Sequence, residues 1–330
     1  MLETIIDYTI FDEFTKKQPK PLPLGNEEEN QIWNSFWSFL KCGTDVNITN
    51  YDGQQNIFLN LLTSGRKGTT CKLQEKFNKP HKFRFPKNQN INSIFFLKEE
   101  SSNGKEKYRK NNGFVFGFND DFLDVWKEIS LINRPKVLPV RKRAGLRFSS
   151  WKQLKDYALP FTDMIIVDNY MLDESVWDFN LFEIIKHLAA NNSVAFNLLL
   201  LSFIKEKNLP EKRVRDLHEK ISQKLSELNI RCNLSIALAT QEIKEHDRGV
   251  FTNYIRIKSG DSFVYFNRNG HTITHGTDID FHPLVENDKF NAYEAALKDI
   301  SRIIKVLKDN PTYSRTRIAG NMKNMLIDSL

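Results

Sequence analysis

The feature that most constrains this chain is an alternation in its second half, where three short apolar runs are separated by two amphipathic stripes. Asp163 to Val167 is apolar and ends in Asp168-Asn169-Tyr170, the profile of a strand buried on both faces. Trp177 to Ala190 then places Phe179, Phe182, Ile185 and Leu188 on one helical face. Ser193 to Phe203 is the second run. Pro210 follows at a helix start, and Val214, Leu217, Ile221, Leu225 and Leu228 form one stripe. Arg231 to Ala239 is the third. Beyond it come Val250 to Ile257 and Phe263 to Phe266, joined by a turn at Ser259-Gly260-Asp261, and a last helix from about Lys289 to Leu307, closed by Pro311. Strands separated by helices predict an α/β fold with a largely parallel sheet flanked by helices. This domain is expected to span 151–330, with a boundary near Ser150.

The first half is less regular. Gln31 to Leu40 carries Ile32, Phe36, Trp37 and Leu40 at helical spacing, whereas Asn56 to Leu62 suits a strand or a helix equally. Two apolar runs, Ile94 to Leu97 and Gly113 to Phe118, flank the lysine-rich stretch Ser101 to Asn112, which reads as a hairpin loop. Asp120 to Ile132 reads as a helix capped by Asn119 or Asp120. The expectation for residues 1–150 is an irregular α+β domain with basic loops.

Composition narrows the class. The chain has 330 residues, which suits two domains, and its 40% apolar content with 12% aromatics is enough to build a core. Cys42, Cys71 and Cys232 are scattered and form no CxxC pair, so neither a disulfide framework nor a cysteine zinc site is expected. The longest apolar run, Val194 to Ile204, is interrupted by Asn197 and Ser202 and is too short to cross a bilayer. With no basic, apolar leader at the N-terminus, a cytoplasmic protein without membrane contact is expected.

A formal net charge of +7 favours an anionic partner. The cations cluster. Arg66, Lys67, Lys72, Lys76, Lys79, Lys82, Arg84 and Lys87 face a single acid, Glu75, with Phe77, Phe83 and Phe85 among them. Arg134, Lys136, Arg141, Lys142, Arg143 and Arg147 have no acid between them. Interleaved amines and rings suit a nucleic-acid groove, where cations neutralise phosphates and rings stack on bases. The equally simple alternative is a solvated loop whose phenylalanines dock on the core. Arg66, Lys67, Lys82, Arg84, Arg141, Lys142, Arg143 and Arg147 are the candidate contacts to DNA or RNA.

Between the third and fourth predicted strands lies Glu245-His246-Asp247-Arg248-Gly249-Val250-Phe251-Thr252-Asn253. It resembles the signature of the phospholipase D superfamily, in which a histidine, one residue, a lysine and four residues precede an aspartate. A glycine follows that aspartate by seven positions, and Gly260 follows Asn253 at that spacing. The wording is closest to degenerate members, such as the domain that follows some microtubule-interacting and trafficking modules, which bind rather than cut. In active members two motifs meet across a dimer or pseudo-dimer: one histidine attacks phosphorus, the other protonates the leaving group, and the lysines hold the phosphate. The resemblance gives His246 the nucleophile's place and Arg248 the phosphate-holding one. It gives Asn253 the place of the aspartate, with the loss of a charge. The family's Gly-Ser-x-x-Asn tail becomes Gly260-Asp261-Ser262-Phe263-Val264, which brings in a carboxylate that opposes turnover.

Two other constellations carry less. Glu242-Ile243-Lys244 has the Glu-x-Lys spacing of metal-dependent nucleases but no convincing upstream aspartate, and it reads as a solvated turn. His271, His275, His282, Asp278 and Asp280 match no established metal spacing and read as ordinary polar positions. No cofactor or metal is expected. Three functions follow: a non-catalytic phospholipase D-like binding protein for nucleic acid, of the kind found in bacterial antiviral defence or mobile elements; a homodimeric, metal-independent nuclease with His246 as nucleophile; and a protein-interaction subunit of a larger complex.

Overall fold

The computed structural model describes all residues except 1, 55, 76–89, 142–144, 146, 207, 241–247, 275 and 329–330. The chain divides into two compact units, residues 1–134 with 283–290, and residues 135–282 with 291–330.

The first unit is built on an all-parallel sheet of five strands in the order β3-β2-β1-β4-β5. These are β1 (Glu3–Asp7), β2 (Asp45–Thr49), β3 (Cys71–Leu73), β4 (Ser93–Leu97) and β5 (Val115–Phe118). The helices are α1 (Tyr8–Lys16), α2 (Glu27–Ser38), α3 (Ile57–Thr63), α4 (Ser102–Asn111) and α5 (Phe122–Ser130). The irregular α+β expectation for this region is therefore corrected to a regular parallel α/β architecture. Its central strand β1 has four consecutive buried residues and no alternation, because both of its faces are covered.

Ser101 to Asn112 is corrected too: it is helix, not hairpin loop. β4 and β5 run parallel, and a parallel pair needs a crossover where an antiparallel one needs only a turn. The Ser101 hydroxyl caps α4 by accepting from Gly104 N at 3.0 Å, and Tyr108 anchors an otherwise polar helix to the sheet. Asn56 caps α3, which settles the strand-or-helix ambiguity there. Phe14, Trp33, Phe36, Phe96, Phe122 and Trp126 pack ring against ring to form much of this unit's core.

The second unit holds eight strands in the order β13-β9-β8-β7-β10-β11-β12-β6. Its elements in chain order are β6 (Val137–Val140), β7 (Asp163–Val167), α6 (Leu181–Leu188), β8 (Phe196–Ile204), α7 (Glu211–Glu227), β9 (Cys232–Thr240), β10 (Gly249–Thr252), β11 (Ile255–Ser259), β12 (Thr277–Pro283), α8 (Asn287–Asp309), α9 (Pro311–Thr316), β13 (Ile318–Ala319) and α10 (Met325–Asp328). β7, β8 and β9 run parallel with α6 and α7 as their crossovers, as the alternation predicted. The rest of the sheet does not follow. β10 joins β7 antiparallel, β11 joins β10 antiparallel, and β6 and β13 add antiparallel pairs with β12 and β9. The sheet is mixed, and the largely parallel expectation is corrected on that point.

Two details follow from the same correction. Val250 to Ile257 is not one strand but a tight hairpin that turns at Asn253-Tyr254. Phe263 to Phe266 forms no strand and makes only an isolated bridge between Phe266 and Thr272. Asn180 holds this stretch instead. Its Oδ1 accepts from Trp151 Nε1, Tyr265 N and Phe266 N at 3.1–3.2 Å, and its Nδ2 donates to Phe266 O at 3.0 Å.

Candidate phosphate and nucleic-acid site

His246, Asp247, Glu242, Lys244, Lys82, Arg84, Lys142, Arg143 and His275 lie outside the described residues. Arg248 and Asn253 are described, and antiparallel pairing of β10 with β7 fixes both. Gly249 lies opposite Val167, so Arg248 enters the sheet beside Asp168, at the carboxyl end of β7. Thr252 lies opposite Met164, so Asn253 reaches the other end of the same strand. The four residues between Arg248 and Asn253 thus span β7 from end to end.

Asn253 is fully buried. Its Oδ1 accepts from Thr162 N at 3.1 Å and Asp163 N at 3.3 Å, and its Nδ2 donates to Thr162 Oγ1 at 3.1 Å. An amide suits this place, with its oxygen facing two backbone donors and its nitrogen facing the Thr162 hydroxyl oxygen. Arg248 is paired through Nη1 with Asp261 Oδ1 at 3.1 Å, and Asp261 itself is mostly exposed. The acid at position 261 is thus the partner of Arg248.

Asp168 organises this end of the strand. It is 2% exposed, and its Oδ1 accepts from Tyr170 N (2.7 Å), Met171 N (3.1 Å) and Ser262 Oγ (2.8 Å). Its Oδ2 accepts from Phe263 N at 2.8 Å. Burial pushes its carboxyl above the usual range, against the pull of these four donors. The loop Gly260–Phe263 is thereby folded back onto β7, fastened by the Ser262 hydroxyl and the Phe263 amide.

The cationic candidates divide by environment. Arg66 is tied to the backbone: Nη1 donates to Leu40 O at 2.8 Å and Nη2 to Thr44 O at 2.5 Å. Burial lowers its pKa. Its geometry is that of a brace between α3 and the β2 approach, with its fork turned inward. Lys67 and Arg141 are exposed, and Arg147 is half-buried beside a backbone that accepts from Gln153 Nε2. Described residues of both basic segments sit at sheet margins. Lys72 is exposed on β3, the edge strand of the first sheet, and Arg141 directly follows β6, the edge strand of the second. Edge strands with lysines and arginines resist pairing with other chains, so these charges serve the fold whatever else they bind.

No model of a known protein family matches this chain, and no curated protein sequence matches it.

Among the described residues no group of three or more His, Cys, Asp or Glu side chains is placed to hold an ion. His271 and Asp278 are exposed. No helix is long and apolar enough to cross a membrane, among the described residues. A cavity lies beyond the carboxyl ends of β7 and β8, lined by Asn169, Tyr170 and residues of α7. Its place corresponds to the Asp168-Asn169-Tyr170 run at a strand end, where open α/β sheets bind ligands; the sequence did not show which residues of α7 line it.

Proposed function

We propose that this chain is a non-catalytic binding protein for nucleic acid, with a second unit that keeps the outline of a phospholipase D-like domain and not its chemistry. The observation that carries the reading is Asn253. In a phosphodiesterase motif this position supports the nucleophile, whereas here its side chain is sealed against Thr162 and Asp163 at the start of β7. Arg248, the phosphate-holding position, is neutralised by Asp261. A phosphoryl transition state needs donors aimed at developing negative charge, and loss of one such donor costs about 3 kcal/mol in the barrier. Exposed Lys72 on the edge strand β3 and exposed Arg141 just after the edge strand β6 supply the electrostatic part of the reading.

The test is a titration of single- and double-stranded DNA and RNA over a salt series, with cleavage followed in EDTA. Log affinity is expected to fall with log salt by about 0.7–0.9 per phosphate neutralised. Replacing Arg141, Lys142 and Arg143 together with glutamine should weaken binding and leave thermal stability unchanged. A flat salt response, or undiminished binding by the triple variant, sinks the nucleic-acid reading for that segment. Metal-independent cleavage that disappears in His246→Ala would put the homodimeric nuclease first. Asn253→Asp restores the family's acid. Because it buries a second carboxylate beside Asp163, it should destabilise the second unit and confer no cleavage.

A further inference from the structure

The cavity beyond β7 and β8 has a volume of about 620 Å³, within the range of small-molecule sites. Ligands of open α/β sheets bind outside the carboxyl ends of the strands, and this cavity lies at that end of a parallel pair. Leu172, Ile204, Leu217 and Leu238 give it an apolar lining. Tyr170 is 59% exposed beside it, although its backbone is held firmly by Asp168. The Ser202 hydroxyl donates to Asn169 O at 3.3 Å and fixes the same loop from β8. The wall that carries Tyr170 is thus built before any ligand arrives, which lowers the entropy lost on binding.

The charges around the lining are mixed, and they narrow what fits. Lys220 is paired with Glu174, and Arg213 with Glu206 at 3.2 Å. Lys212 and Asp216, one turn apart on α7, make no ion pair with each other or with any described residue. Lys212 and Arg213 occupy the first turn of a 17-residue helix, where the macrodipole disfavours cations. A purely anionic ligand would meet Asp173, Glu174 and Asp216, and a purely apolar one would strip water from Lys212 and Asp216 with nothing in return. The lining calls for a flat apolar body, N–H donors on one edge and an anion at one end.

We infer that this cavity binds a nucleoside monophosphate unit, with the base against Tyr170 and the apolar lining, its N–H edge toward Asp216 and Asn169, and its phosphate toward Lys212 and Arg213. The unit is either a free mononucleotide or the terminal nucleotide of a strand. The site shares no residue with the basic segments, so it stands or falls separately from the salt-dependent binding proposed above.

The experiment is calorimetric titration of the whole chain with AMP, GMP, CMP and UMP, with inorganic phosphate and free tryptophan as controls, and with short oligonucleotides with and without a 5′-phosphate. At least one mononucleotide, or the 5′-phosphorylated oligonucleotide over its unphosphorylated counterpart, should bind more tightly than either control. The first result identifies a free nucleotide as the source and the second a strand end. Tyr170→Ala should weaken that binding about tenfold, the worth of one base–aromatic stack. Lys212→Gln should weaken phosphorylated ligands and leave nucleosides unaffected. Both positions are exposed, so the melting temperature of each variant should match the parent. The inference is overturned if no mononucleotide or 5′-phosphorylated strand binds at millimolar concentration. Controls that bind equally well overturn it, and so does a Tyr170→Ala variant that binds as the parent does. Loss of oligonucleotide affinity in the Arg141, Lys142, Arg143 variant with mononucleotide affinity intact is the expected sign that the two sites are separate.

Discussion

β1 and β7 occupy the middle of their sheets, and each runs from one carboxylate to another, but their ends are held differently. At the start of β1, Glu3 accepts from Asn47 Nδ2 (2.7 Å) on β2 and from Ser93 Oγ (3.0 Å) on β4. At its end Asp7 accepts from Thr9 N (2.9 Å) and Asn50 Nδ2 (2.6 Å). Most of these partners are side chains of the adjacent strands or the residue just past them. At the start of β7, Asp163 is fully buried and accepts from Asn197 Nδ2 at 2.9 Å and from Met325 N at 2.8 Å. At its end Asp168 holds three backbone amides and a hydroxyl. A side-chain partner that loses its acid can rotate toward water, whereas a buried backbone N–H cannot. The first arrangement tolerates loss of an acid, and the second does not.

The sharpest way to break this contrast is Asp168→Ala. It leaves three backbone amides and the Ser262 hydroxyl without their acceptor, and an expected loss of about 3–5 kcal/mol would unfold the second unit under mild conditions. Urea denaturation followed by tryptophan fluorescence measures it. A loss below about 1 kcal/mol would show that water or a rearranged loop satisfies those donors. Asp163→Ala comes next, at about 2–3 kcal/mol, since Met325 N and Asn197 Nδ2 lose their acceptor.

Asp163→Asn separates charge from hydrogen bonding. Burial pushes the Asp163 carboxyl above its ordinary range, with Asp328 adding to the effect. The folded state therefore holds the proton more tightly than the unfolded chain does. This contribution to stability is complete in acid, below the unfolded carboxyl's pKa of about 3.9, and is lost as pH rises through the elevated native value. Asparagine keeps the acceptor and needs no ionisation. Its stability relative to the parent should therefore rise between about pH 4 and pH 7, and melting curves over that range check it. A constant difference would mean that Asp163 ionises in the fold as easily as in the unfolded chain. The smallest effect is expected in the first unit, where Glu3→Gln should change stability by less than about 1 kcal/mol. A larger loss would erase the distinction between the two sheets.

The parallel core of the second unit was legible because β7, β8 and β9 are apolar runs separated by two stripes of helical period, so each run is set off by its context. β1 was not, because five residues next to a helix of similar composition carry no period of their own. α4 was obscured by lysines and a glycine that suit a loop, and only the parallel pairing of its flanking strands requires a crossover there. At the site, the spacing from Arg248 to Asn253 is that of a span across β7. Its chemistry was hidden in contacts that no local pattern reports. Ser262 meets Asp168 from 94 positions away, Asn253 meets Thr162 from 91, and Met325 meets Asp163 from 162. The cavity was similarly obscured, since Lys212 and Asp216 read as ordinary solvated helix residues until the strand ends are placed opposite them.

The closing of β7 by Met325 has a consequence for how the protein is made. Asn324 Nδ2 also donates to Met164 O at 3.2 Å, and β13 caps the outer edge of β9. On the ribosome, β7, β8 and β9 emerge long before residues 318–325. At about 5–20 residues per second, the most apolar strands of the molecule wait several seconds with a carboxylate half-bonded and an edge uncovered. During that interval the nascent chain is open to chaperones and to pairing with its neighbours on the same message. Synonymous codons that slow translation between Thr240 and Ile318 should therefore lower the yield of folded protein more than the same codons placed before Glu3–Asp7 have found their partners.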